Sequence, residues 1–284
     1  MVRKFKLINN LGQEYSLMDI DNYCLLTEPN GLGYSYSTEY EQLGDTFVTN
    51  LRRIEQGQVN GQVNFLKYEN YKALVDFIER SEKLRLSYTI PYTDGEKEYF
   101  KDIQIQSISK SEIQPNGVLS ESIVFDALSL WYEEKVTIFD MNRQDNELRW
   151  DFTWNARFGT YDIRWLEFVN EGHVEAPVEI SIDGEVINPV IKLYVDNELY
   201  QEVTFTKTIE EHEKLLYGTK ENDFYMYLQE TDGDLVSLFD LDVINFANDN
   251  VIRLPKNKSC RIVLDATNDI LNAQVKIYVY YKSI

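Results

Sequence analysis

The chain has 284 residues, 43% hydrophobic and 13% aromatic, which is enough for two domains with separate cores, since single domains usually run to about 100–150 residues. A formal net charge of −20 repels a phosphate backbone over most of the surface and argues against nucleic-acid binding. The 20 Tyr and 14 Phe suit pleated, half-buried strands, so the composition leans toward all-β.

The opening segment MVRKFKLINNLGQEY is basic but has no apolar run of signal-peptide length. Nothing downstream approaches the roughly 20 apolar residues of a membrane helix, so no membrane insertion and synthesis in a cytoplasm are expected. Cys24 and Cys260, far apart in sequence, are expected in different domains as buried small hydrophobes rather than as a disulfide. The ordinary reading of so much acid is solubility and self-repulsion between free copies. The sharper one is an acidic channel or a cation site.

In chain order, Phe5, Leu7 and Ile8 run into the turn signal Asn9-Asn10-Leu11-Gly12, and Tyr15 and Leu17 resume the alternation, which predicts a hairpin. Thr27-Glu28-Pro29-Asn30-Gly31 is a stronger break. Residues 34–65 are polar, aromatic and glycine-punctuated, and such a stretch buries little by itself. It is expected as a mobile loop or as an extended arm, about 33–65, packed on another surface.

A helical period follows. Tyr71, Leu74, Val75 and Ile78 fall at i, i+3, i+4 and i+7, with Lys72, Asp76, Glu79 and Arg80 on the other face, so an amphipathic helix is predicted over about 69–82. Arg80 and Lys83 suit its negative pole. Leu84, Leu86, Tyr88 and Ile90 then alternate as a strand, and Asp94-Gly95 turns them onto a second strand over 99–105. Gln114-Pro115-Asn116-Gly117 precedes a strand over 122–131 whose core candidates are Ile123, Phe125 and Leu128; they share a face only with a β-bulge near Ala127.

The character shifts after Glu133, with a polar connection at Met141-Asn142-Arg143-Gln144-Asp145-Asn146, which predicts a domain boundary near Glu134 and domains over 1–134 and 135–284. Strands are predicted over 161–169, 178–182, 190–195, 202–205, 224–229, 260–264 and 274–281. Turns at Asp183-Gly184, Asp196-Asn197 and Asp232-Gly233 punctuate them, the pattern of an antiparallel sandwich. Residues 208–217 fit two descriptions equally, a helix capped by Gly218 or strand–turn–strand.

Motifs of catalysis are missing: there is no phosphate loop, HExxH, paired CxxC or GxSxG. His173 and His212, the only histidines, sit among carboxylates without a nucleophile or second ligand at metal spacing and read as surface residues. Asp240, Asp242, Asn245, Asn248, Asp249 and Asn250 are rich in the oxygens calcium takes, but Phe246 and Ala247 interrupt the spacing. No metal and no cofactor are expected. Trp150, Trp154, Phe158, Tyr161 and Trp165 read first as core; the alternative is a carbohydrate platform, with Trp150 and Trp154 as its candidate residues.

Several segments together carry a resemblance. Leu7-Ile8-Asn9-Asn10-Leu11-Gly12, Pro29-Asn30-Gly31-Leu32-Gly33, Gly61-Gln62-Val63-Asn64-Phe65 leading into Asp76-Phe77-Ile78, and Leu128-Ser129-Leu130-Trp131-Tyr132 resemble the N-terminal half of siphophage distal tail (Dit, baseplate hub) proteins. Asn188-Pro189-Val190, Leu216-Tyr217-Gly218-Thr219 and Arg253-Leu254-Pro255 resemble their galectin-like C-terminal domain. The resemblance implies a mainly β fold: an N-terminal β-sandwich-like domain with one α-helix and a C-terminal galectin-like antiparallel β-sandwich. It implies a structural virion part at the distal tail tip, without catalytic residues. Six copies would form a ring joining the tail tube protein to a tail-associated hub protein and receptor-binding proteins, with DNA passing through the channel unbound. The competing readings are a free-standing carbohydrate-binding protein attaching to host cell-wall saccharides and, last, an acid-catalysed glycosidase.

Overall fold

The computed structural model describes residues 3–20, 24–140, 165–239, 243, 251–268 and 272–284. Two compact units emerge, one of Met1–Glu133 with Tyr281–Ile284 and one of Glu134–Tyr280. The last four residues, assigned by sequence to the second domain, thus pack with the first unit.

The first unit contains β1 (Lys4–Asn9), β2 (Glu14–Ser16), β3 (Met18–Asp19), β4 (Cys24–Asn30), β5 (Tyr36–Leu43), β6 (Thr46–Ile54), β7 (Gln58–Phe65), α1 (Tyr68–Glu79), β8 (Leu84–Tyr92), β9 (Gly95–Ile108) and β10 (Leu119–Ala127), and the start of β11 (Trp131–Asp140). Antiparallel pairing runs in the order β2, β1, β8, β9, β10, β7, β4, β3. Leu17 brings the ends of this series together, donating to Phe5 O at 2.9 Å and accepting from Leu26 N at 2.7 Å. Alternation then does what a period of two requires: Phe5, Leu7, Leu26, Val63, Phe65, Leu86, Ile103, Ile123 and Phe125 all point into one buried core.

The single helix among the described residues covers that core. Leu74 is buried, and Tyr71, Phe77 and Ile78 pack against it, with Tyr71 edge-on to Phe65 and Phe77 tilted on Tyr15. Lys67 at the N-cap makes no side-chain cap. A twelve-residue helix without that cap is held by the packing of its apolar face rather than by propensity. It ends earlier than its periodicity predicts, at Glu79, where Ser81 donates its hydroxyl to Phe77 O at 2.7 Å and its N–H to Ile78 O at 3.0 Å.

The Asp94-Gly95 turn forms, with Tyr92 opposite Gly95 and Gly95 at a φ of 139°. The predicted bulge also forms, but between Val124 and Phe125 against β9 rather than near Ala127. β10 stops at Ala127, so Leu128 leaves the sheet and is 48% exposed, not a core residue; buried Ala127 takes the inward place. The stretch expected as an arm divides in two. Only Tyr36–Ile54 stands off as a ribbon, whereas Gln58–Phe65 is β7, paired on both sides by β10 and β4.

The second unit contains the rest of β11, then β12 (Trp165–Val169), β13 (Ala176–Asp183), β14 (Val186–Ile187), β15 (Val190–Val195), β16 (Glu198–Thr204), β17 (Thr208–Ile209), β18 (Lys214–Lys220), β19 (Asp223–Gln229), β20 (Leu235–Ser237), β21 (Arg253–Leu254), β22 (Ser259–Asp265) and β23 (Asn272–Tyr281). One antiparallel series runs β20, β19, β18, β13, β23 and another β12, β22, β15, β16. Ile180, Tyr217, Met226 and Val275 of the first and Ile262, Ile191, Leu193 and Val203 of the second are buried. Phe205, just past β16, meets Tyr217 of β18 edge-on, centroids 6.3 Å apart, which joins the two layers as a sandwich does. Asp196 and Asn197, at φ of 50° and 72°, make the tight turn between β15 and β16 that their sequence predicts.

Residues 208–217 resolve to strand, turn and strand. Gly218 is not a helix cap. It lies within β18 opposite Tyr225, whose ring sits where a Cβ would go, 2.4 Å from that position.

Candidate assembly surface

The ribbon leaves the first unit through a root that the sequence builds with care. At Gly31, φ is 77° and a Cβ would stand 1.8 Å from the carbonyl oxygen of Gln58, so a glycine is what lets the outgoing and returning chain approach. Next to it, Leu32 O accepts the indole N–H of Trp131 at 2.8 Å. Ser35 and Glu55 close the pair, hydroxyl to carboxylate at 2.8 Å and Glu55 N to Ser35 O at 3.0 Å. Tyr36, the first residue of β5, carries the Arg52 guanidinium 3.8 Å from its ring centre, and its hydroxyl accepts from Lys282 Nζ at 2.7 Å.

Trp131 also has the Lys101 ammonium 4.9 Å from its ring centre. Lys101 is buried, and burial pushes its pKa down to about 8.

Beyond the root, the ribbon is exposed on both faces. Cross-strand register puts Tyr40 opposite Thr49 and Gln42 opposite Phe47 on one face, and Glu39 opposite Leu51, Glu41 opposite Val48 and Leu43 opposite Thr46 on the other. Tyr40 is 63% exposed and Phe47 69% on the first; Leu43, Val48 and Leu51 are exposed on the second. Among the described residues β5 and β6 pair only with each other. A two-stranded ribbon is marginal alone in water, and large apolar side chains on both faces mark a surface meant to be covered. Its sequence hides this, because a ribbon wet on both faces lacks the polar/apolar alternation of a half-buried strand.

An open groove of about 900 Å³ lies elsewhere on the first unit, lined in part by Phe5, Met18, Ile20 and Leu25. At its rim Lys4 pairs with Glu96 at 2.9 Å and Lys6 with Glu14 at 2.7 Å.

The other sequence candidates do not converge. Trp150, Trp154, Phe158 and Tyr161 lie outside the described residues, as do Asp240, Asp242, Asn245, Asn248, Asp249 and Asn250. Trp165, on β12, is exposed rather than core. His173 and His212 are exposed in separate turns. Among the described residues no group of three or more His, Cys, Asp or Glu is arranged to hold a metal ion, and no helix is long and apolar enough to cross a membrane. Cys24 and Cys260 are buried free thiols, and burial is the main cause raising both above the ordinary range, Cys24 to about 12 and Cys260 to about 11.

Residues 4–128, the body and ribbon just described, match the family described as "Distal tail protein, N-terminal domain". Over those residues the chain matches the distal tail protein family of phage baseplates. That family is structural and non-enzymatic. The distal tail proteins of Lactococcus phage SK1 and Lactococcus phage p2 are each 27% identical over 146 residues, 49% of this chain and 49% of theirs. The chain thus aligns with about half the length of these curated relatives. A chain in the structure of the phage P2 baseplate in its activated conformation with Ca is similar over 100% of both chains, at a TM-score of 0.70 and 20% identity. The SPP1 Dit protein, described as a hub adsorption apparatus paradigm in phages infecting Gram-positive bacteria, is similar over 96% of this chain and 98% of its own, at 0.59 and 10%. The likeness is one of fold: this chain is mainly β, with one helix and several antiparallel sheets among its described residues, and matches the fold of the SPP1 Dit protein.

Proposed function

We propose that this distal tail protein is the hub of a siphophage baseplate, six copies forming a ring that connects the tail tube to the host-adhesion device and leaves a channel for DNA. The first unit builds the ring. The second, galectin-like, projects outward and carries receptor-binding proteins, while the tube and a tail-associated hub protein meet the ring's two sides.

The observation that carries the reading is the ribbon: apolar residues on both faces, at Tyr40 and Phe47 and at Leu43, Val48 and Leu51, in a protein whose net charge of −20 should otherwise keep free copies apart. A neighbouring copy is the occupant that fits a family assembling in baseplates. The same acidity suits a DNA channel, since a wall of like charge makes no contacts that hold phosphates.

Electron microscopy and mass measurement of the purified protein test the reading. Rings with an open centre are expected, and the double variant Tyr40→Ser, Phe47→Ser should remain monomeric yet fully folded, because these side chains touch little in the free unit. A parent protein that stays monomeric and also fails to assemble with tail proteins would overturn it.

A further inference from the structure

We propose that Lys282 is a positioning residue for the β5–β6 ribbon, fixing the direction in which the ribbon leaves the body. The inference rests on the reading of the ribbon as the assembly element, but its geometry is independent of how many copies assemble.

The body otherwise reaches the ribbon at the foot of its returning limb, where Gln56 Nε2 donates to Ala127 O at 3.2 Å. Both limbs of its root carry glycine, Gly33 going out and Gly57 coming back, and neither has any atom within 4 Å of where a Cβ would sit. Glycine widens the conformations open to each limb, although Gly57 O is held by the Ala127 N–H at 2.9 Å. Beyond Gly33, past Tyr34 and the Ser35–Glu55 pair, comes Tyr36, the first residue of β5. Its ring is gripped from the ribbon's own return strand by Arg52 and from the body by Lys282, whose Nζ lies 2.7 Å from the hydroxyl and 5.3 Å from the ring centre. Tyr34 adds an edge contact, centroids 5.3 Å apart.

Lys282 can act as a fixed point because its neighbours are packed. Tyr281 sits edge-on to Tyr99, centroids 5.6 Å apart, and Tyr281 and Ile284 both pack against the first unit's core. A segment 246 residues distant in sequence from Tyr36 is thereby placed to set the ribbon's angle. A charged donor on a phenol oxygen, joined by a cation over the ring face, is stronger than a neutral contact at the same exposure.

Trypsin gives the test, since Arg52 and Arg53 lie on β6 near the root and are cut only when the ribbon swings or frays. In Lys282→Met, cleavage at these two arginines should accelerate about tenfold, as expected for losing a hydrogen bond to a charged group. The melting temperature should stay within about 2 °C, because the body's core is untouched. Tyr36→Phe, which removes only the acceptor, should reproduce the acceleration, and Lys282→Arg should restore most of the protection. Unchanged cleavage in both Lys282→Met and Tyr36→Phe overturns the proposal. So does acceleration at all tryptic sites with a large fall in melting temperature, which would make Lys282 a general stability residue. If the acceleration is local but the parent forms no rings, the positioning role stands and the hub reading fails.

Discussion

The indole N–H of Trp131 donates to the carbonyl oxygen of Leu32 at 2.8 Å, tying the outgoing limb of the ribbon to the first residue of β11. Trp131 is buried, and Leu32 packs against the core, so this hydrogen bond is shielded from water. Trp131→Phe keeps an aromatic ring but leaves the carbonyl without its donor and a void where the larger ring was. Together these should cost about 2–4 kcal/mol. Urea denaturation should show the midpoint falling at unchanged slope. A loss below about 0.5 kcal/mol would mean that water or a neighbour replaces the donor.

Lys101 offers a pH-dependent test of the same region. Its amine is buried beneath Trp131, and burial lowers its pKa from 10.5 to about 8. An amine whose folded pKa lies below its unfolded one binds fewer protons when folded, so stability rises with pH between these values and carries the full cost of the buried charge below about 8. Lys101→Met should therefore stabilise the protein at pH 7, by about 1–3 kcal/mol once the lost cation–π contact is counted. The gain should shrink as pH rises toward 10. A gain that does not change with pH would mean better packing rather than relief of a buried charge.

Much of the body is readable in the sequence because its elements are buried on one face. Phe5 and Leu7, the Leu74 face of α1, and Val275, Ile277 and Val279 of β23 all show the period of the element they form. β7 shows it too, with Val59, Val63 and Phe65 buried in alternation. The break in its pattern is Gly61, where Leu26 Cδ1 and Thr27 O fill the space a side chain would need, at 2.8 and 2.9 Å. A neighbour supplies the missing hydrophobe, so residues 58–65 read as an arm when they are a central strand. The assembly surface is harder to read for a related reason: the contact of Tyr36 with Lys282 spans most of the chain, and no local period reports it.

Gly218 is the sharpest case of such substitution by a neighbour. The Tyr225 ring lies 2.4 and 2.5 Å from where its Cβ would be, and the ring is held there by stacking on Tyr227 at 5.7 Å and 10°. Gly218→Ala must displace the ring and break the stack, at a cost of about 1–3 kcal/mol. Tyr225→Ala exposes the strand and is destabilising alone. The double variant should cost less than the sum of the two, because alanine at 218 then fills space the ring has left. Strict additivity in a thermal-denaturation cycle would show that the ring and the glycine are energetically independent.

A last prediction concerns Glu121, a carboxylate buried on β10. It accepts the Ser109 hydroxyl at 2.7 Å, the Ser111 N–H at 2.6 Å and the Ser111 hydroxyl at 2.8 Å, and so pins the start of the loop leading from β9. Burial by itself would raise its pKa, but these hydrogen bonds and the charge of Lys110 together hold it below the usual 4.5. A carboxylate with a depressed pKa stabilises fully above its unfolded value and loses that contribution as pH falls through the folded one. Acid should therefore weaken the parent below about pH 4.5. Glu121→Gln turns an NH₂ toward a site built for acceptors and should cost about 1–3 kcal/mol at pH 7. Urea midpoints at pH 7 and at progressively lower pH measure both proteins, and the gap between them should narrow in acid, since protonation removes the charge from the parent as the substitution does. A gap that stays constant as the pH falls would place the effect of Glu121 in shape rather than in its charge.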